Sequence, residues 1–148
     1  MNNYFQLIRL CENTYKTFLE SLKDALFDLK INNLSPIQAL IILNLGENEV
    51  NVNDLVKRGY YGGTSVSYNL NCLVENGFML SQGDPEDRRL RKISLSEKGI
   101  NVFNKLSNVI DEQNKSVIKS GIDDDVSIYV NSNLKRIIKT IELFSYSV

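Results

Sequence analysis

Apolar residues recur in steps of three and four from Tyr4 to Leu29. Tyr4, Ile8, Cys11, Tyr15, Phe18, Leu22, Ala25 and Leu29 form one row, and Leu7, Leu19 and Leu26 widen it. A repeat near 3.5 describes a helix over 4–29 whose apolar seam packs against other helices. That much apolar surface needs later helices or another chain to cover it. Ser35-Pro36-Ile37-Gln38 then combines a serine cap, a proline at the first helical position and a glutamine that closes a capping box. Ile37 to Leu45 is apolar nearly all round and ends at Gly46, which describes a short central helix. Asn51-Val52-Asn53-Asp54 opens another short helix that closes near Gly59, and a further one runs from Thr64 to Asn76 with Gly77 as its stop. The inner row of the latter is Val66, Leu70, Leu73 and Val74.

The period then changes from helical to alternating. Phe78, Leu80 and Gln82, then Arg91, Ile93 and Leu95, suit two short strands around a charged tip from Gly83 to Arg89. Helix resumes at Ser96, with Ile100, Phe103, Leu106 and Ile110 on one face, and breaks at Gly121. A last helix follows Asp123-Asp124-Asp125 and carries Val126, Val130, Leu134, Ile137, Ile138, Ile141 and Phe144. The expected fold is mainly α: a winged helix-turn-helix with a two-stranded β-wing at 34–99, flanked by helices over 1–33 and 100–148.

In that plan the 64–76 helix enters the major groove and the hairpin lies along the backbone or minor groove. Turning its apolar row inward leaves Thr64, Ser65, Ser67, Tyr68, Asn71 and Cys72 outward. Asparagine can pair with adenine, hydroxyls can bond to bases or phosphates, and tyrosine can reach a phosphate. An ordinary solvated helix face would look the same. The outward face holds no Lys or Arg, so positive charge has to come from the wing.

Composition alters this picture in three ways. The 148 residues, 43% hydrophobic and 24% charged, suffice for one core without cross-links. Histidine is absent, which removes Ser-His and Cys-His nucleophilic pairs, histidine metal sites and most bases that work near neutral pH. An enzyme is therefore the weaker class, and no cofactor is expected. The net charge of −1 argues against a nucleic-acid binder. Residues 52–98 carry seven basic and six acidic groups, so DNA binding would rest on a few placed arginines doubled by dimerisation. No run of about 18 apolar residues suggests a membrane span. The first six residues lack a signal peptide's basic flank and apolar run, and the expected location is cytoplasmic.

Residues 34–99 resemble the MarR (multiple-antibiotic-resistance regulator) family. The likeness runs from Leu34-Ser35-Pro36-Ile37-Gln38-Ala39-Leu40 through Ser67-Tyr68-Asn69-Leu70-Asn71-Cys72-Leu73-Val74-Glu75-Asn76-Gly77-Phe78. Its most specific parts are the wing Asp84-Pro85-Glu86-Asp87-Arg88-Arg89 and the closing Ile93-Ser94-Leu95-Ser96-Glu97-Lys98-Gly99. Residues 59–70 further resemble a branch of this family linked to control of cell-wall L,D-transpeptidase genes. The resemblance implies a homodimer whose first and last helices entwine, a pseudo-palindromic double-stranded DNA operator, and a cleft for a small-molecule effector. For that cleft it suggests Tyr15, Phe18, Leu19, Leu40 and Leu43 as walls, all equally good core residues. It also implies a structural pair between Asp84 and Arg89, leaving Arg88 and Arg91 for DNA. Glu86 departs from the family, which usually has arginine there, and a carboxylate at a wing tip repels phosphate. A self-neutralising surface loop is the competing reading of this cluster. A winged-helix protein-interaction module without DNA binding is the competing reading of the whole chain.

The remaining features admit plainer readings. Cys11, on the apolar seam, reads as a buried structural cysteine, whereas Cys72 is more exposed, where oxidation could obstruct DNA. The Asp123–Asp125 run suits a helix N-terminus better than a metal site. Tyr60 and Tyr61 read as packing residues.

Overall fold

A computed structural model describes residues 2–57, 64–83 and 91–145. The helices are α1 (Asn3–Asp28), α2 (Pro36–Leu45), α3 (Val52–Lys57), α4 (Thr64–Glu75), α5 (Glu97–Lys119) and α6 (Asp124–Ser145). Three strands, β1 (Val50–Asn51), β2 (Met79–Gly83) and β3 (Arg91–Leu95), form an antiparallel sheet in the order β1-β3-β2.

Local chemistry sets most of the helix ends. The Asn2 side chain accepts from the Phe5 amide at 2.8 Å to start α1. Ser35 Oγ accepts from the Gln38 amide while Gln38 Oε1 accepts from the Ser35 amide, a complete capping box for α2. Asp123 Oδ1 accepts from the Val126 amide, so the acidic run caps α6. Two helices close on a left-handed glycine. Gly77 (φ 75°) lets the Phe78 amide reach Leu73 O at 2.8 Å after α4, and Gly121 (φ 94°) lets the Ile122 amide reach Val117 O at 3.3 Å after α5. The same closure after α1 places Lys30 at φ 57°.

The chain divides into two compact units, residues 1–108 and 109–148. In the first, Leu22 and Leu26 of α1, Ile41, Ile42 and Leu45 of α2, Leu55 of α3, and Val66, Leu70 and Leu73 of α4 are buried with Met79, Ile93 and Leu106. In the second, α6 has no buried residue, and Tyr129 and Phe144 are each 71% exposed.

Four expectations are corrected. A third strand joins the wing: Val50 pairs with Ile93 and Asn51 with Lys92. Two residues are too short to show an alternating pattern. In β2 the core-facing residue is Met79, while Leu80 is 53% exposed. The register Met79↔Leu95 and Ser81↔Ile93 puts Met79 and Ser81 on the same sheet face as Ile93 and Leu95. On α5, Leu106 of the expected row is buried, but its companions are Gly99 and Val102, while Phe103 and Ile110 are half-buried and Ile100 is exposed. A β-carbon at Gly99 would stand 2.1 Å from Phe78 O, so close backbone approach sets that contact line. Cys11 is exposed, as are Tyr4 and Tyr15 on the same seam of α1.

Candidate nucleic-acid interface

Helix α4 presents two chemically opposite faces. Val66, Leu70 and Leu73 are fully buried, and Ser65, Ser67, Tyr68 and Asn71 are exposed. Thr64 opens the helix, and Cys72 is half-buried beside the polar row. Of the sets expected from the helical period, Val66, Leu70 and Leu73 face inward and Ser65, Ser67, Tyr68 and Asn71 outward, while Val74 and Cys72 are half-buried.

Several outward side chains are held in place. Asn69, buried among the core residues, donates from Nδ2 to Ser65 O at 2.7 Å and to Ser65 Oγ at 3.2 Å. That leaves the Ser65 hydroxyl hydrogen free to donate elsewhere. Tyr68 is 69% exposed, and the neighbouring Cys72 one turn on, then partial burial and the charge of Glu75, push its phenol above the ordinary tyrosine range. It therefore stays a neutral O–H donor, the form that bonds to phosphate oxygen.

Arg91 links the wing to α4. Its Nε donates to Ser81 Oγ of β2 at 2.5 Å and its Nη1 to Asn71 Oδ1 of α4 at 3.0 Å. Arg91, Ser81 and Asn71 thus form one connected group. Neighbouring Lys92 pairs with Glu49 at 2.9 Å; both are about half exposed, so the pair contributes at most about 1 kcal/mol. Asn69 and Ser81 carry no motif that singles them out. The alternation of Arg91 with Ile93 and Leu95 was the available signal that Arg91 faces inward, and the β2 register then brings Ser81 beside it.

A second group fastens the end of α4 to the start of α5. Ser96 Oγ donates to Gly77 O at 2.6 Å and accepts from the Gly99 amide at 3.1 Å. The Ser96 amide donates to Phe78 O at 3.0 Å. Lys98 Nζ donates to Asn76 O at 2.8 Å and stands 4.0 Å from the centre of the Phe78 ring. Beside this joint lies a cavity of about 310 Å³ lined by Lys30, Ile31, Asn32, Asn33, Phe78, Lys98 and Val102. Of the effector walls named from the sequence, Tyr15 is exposed and Phe18, Leu19, Leu40 and Leu43 are half-buried; none lines this cavity.

Asp84, Glu86, Arg88 and Arg89 of the wing tip and Gly59–Gly63, with Tyr60 and Tyr61, lie outside the described residues.

Residues 34–99 match the family described as a winged helix DNA-binding domain. The chain is 35% identical over 96 residues to the exopolysaccharide II synthesis transcriptional activator ExpG of Rhizobium meliloti, covering 65% of this chain and 50% of that protein. It therefore spans about half the length of that relative. Among solved structures, the S. aureus MepR–DNA complex superposes with a TM-score of 0.69 at 17% identity, covering 95% of this chain and 98% of that one. Staphylococcus aureus MarR in complex with salicylate and kanamycin superposes with a TM-score of 0.72 at 16% identity, covering 93% and 91%.

Proposed function

We propose that this chain, a winged-helix protein with the fold of the MarR-type regulators, is a transcriptional regulator that grips double-stranded DNA as a homodimer. The two-faced character of α4 carries this reading. Its apolar side is locked into the core, and Ser65, Ser67, Tyr68 and Asn71 stand free of it. A rigid helix with outward hydroxyl and amide groups can enter a major groove and bond to base edges and phosphates. The MepR complex and its DNA, in a chain of the same fold, support that placement.

Dimerisation is supported by the uncovered apolar surface. Isolated exposed apolar residues are ordinary, but a whole helix of them marks an interaction face. Helix α6 exposes Ile128, Tyr129, Ile138, Ile141, Leu143 and Phe144, and α1 exposes Tyr4, Phe5, Leu10 and Tyr15. On this reading residues 1–33 and 100–148 form the dimer, and two copies of α4 meet half-sites about 10 bp apart on a pseudo-palindromic operator. Repression follows when the site overlaps a promoter. A small molecule that shifts the spacing of the two α4 helices lowers affinity, and the ligands bound to S. aureus MarR support an effector.

Charge favours a second reading, a protein-interaction module. The described residues of α4 include no Lys or Arg, and 52–98 is nearly neutral. Electrophoretic mobility shift separates the two. The regulator gives a saturable band on its own upstream region that survives competitor DNA, and an interaction module gives none. Arg88→Ala is expected to weaken binding across sequences and to reduce the salt slope by about one phosphate contact. An unchanged slope contradicts the assignment of Arg88 to the DNA backbone.

A further inference from the structure

Arg91 and Asn71 are twenty residues apart and come from different elements, yet the guanidinium connects them. On β3, Arg91 follows the alternation of Leu95 and Ile93, so it lies on the core-facing side of the sheet at its outer end, paired with Gly83. It is half-buried. From there its Nε bonds to Ser81 Oγ, two residues along β2. A guanidinium is planar, so fixing Nε also fixes the plane and the direction of the remaining donors. The Nη1 arm then meets Asn71 Oδ1 at 3.0 Å.

An exposed asparagine amide has two ends of nearly equal size and opposite hydrogen-bonding sense. Turned one way, it offers an acceptor to a base edge; turned the other way, it offers donors. The guanidinium can only donate. Reversing the Asn71 amide would set two donors against each other about 3 Å apart. The amide oxygen is therefore held toward the wing, and the Nδ2 donors point away from it. Asn71 lies on the exposed row of α4, one turn beyond Ser67 and Tyr68.

We propose that Arg91 is a positioning residue for base recognition, fixing the sense of the Asn71 amide through the Ser81–Arg91–Asn71 brace. This rests on the reading of α4 as the DNA-recognition helix. The braced Asn71 presents donors and so selects a base whose major-groove edge accepts: purine N7, guanine O6 or thymine O4. Without the brace the amide turns freely, and a donor edge on the DNA serves as well. The wing then acts at a base position it does not itself touch.

Binding-site selection with the full chain tests this, followed by titrations on the selected site and on single-base variants at several salt concentrations. Arg91→Ala should lose about tenfold discrimination at one base position, the same position affected by Asn71→Ala. The double variant should lose no more there than Asn71→Ala alone, and the salt slope should not change. Arg91→Lys keeps the charge without the planar fork, and Ser81→Ala removes one leg; both should lose discrimination at that same position. Uniformly weaker binding with a slope reduced by about one would make Arg91 a phosphate contact and overturn the proposal. Full discrimination in any two folded variants of the three would also overturn it. If the wild type binds no DNA, the α4 reading itself fails. The brace is then read in the free protein from the Asn71 Nδ2 amide proton signals. A shift of those signals in Ser81→Ala supports the brace, and their constancy overturns it.

Discussion

Asn69 and Asn71 stand two positions apart on α4 and have opposite fates. Asn69 turns inward and spends its Nδ2 on Ser65, two turn-neighbour bonds of 2.7 and 3.2 Å that steady the exposed serine. Asn71 turns outward and is steadied from the wing. A polar side chain fixed before DNA arrives loses less conformational entropy on binding than a free one. Tyr68 is exposed, and its pKa is raised beside Cys72. A raised pKa keeps the proton on the oxygen to higher pH than the ordinary value of about 10, so the donor persists through pH 9. Tyr68→Phe is expected to weaken DNA binding a few-fold across all sequences, by a factor that stays constant from pH 7 to 9 in fluorescence anisotropy. A factor that collapses within that range contradicts the neutral-donor role.

At the scale of elements, the decisive contact is the joint between α4 and α5. Asn76 O, Gly77 O and Phe78 O, the carbonyls just beyond α4, are taken by Lys98, Ser96 Oγ and the Ser96 amide. Gly99 permits this because its missing side chain leaves room for Phe78 O. Gly99→Ala would put a β-carbon against backbone, which can yield only by moving the helix. The expected cost is about 1–3 kcal/mol, read as a lower midpoint in urea denaturation; an unchanged midpoint contradicts the close approach. Much of this architecture was legible in the sequence. Ser35, Pro36 and Gln38 mark the start of α2 by a chemistry that works locally, and Gly77 and Gly121 mark stops by φ values that glycine adopts freely. What escaped depended on contacts between distant segments. β1 has two residues and exists only through its pairing with β3, and the buried face of α5 is set by where Phe78 O lies. The exposed row of α4 follows from its period, but its link to Arg91 needs the β2–β3 register, which alternation within each strand does not supply.

At the scale of the molecule, the described structure leaves apolar helix faces uncovered while its net charge is only −1. Weak long-range attraction means that affinity depends on contacts made at the groove and on presenting two copies of α4 at once. Ile141→Asp places a charge on the uncovered face of α6 and is expected to shift sedimentation equilibrium toward monomer and to weaken operator binding with it. A dimer of undiminished stability in that variant contradicts the role given to α6. DNA binding as a dimer is decided by a stoichiometric anisotropy titration of the wild-type chain on its own upstream DNA, with excess nonspecific competitor. Saturation is expected at two chains per site, surviving competitor and weakening as salt rises. Binding that competitor abolishes, or none at all, contradicts it.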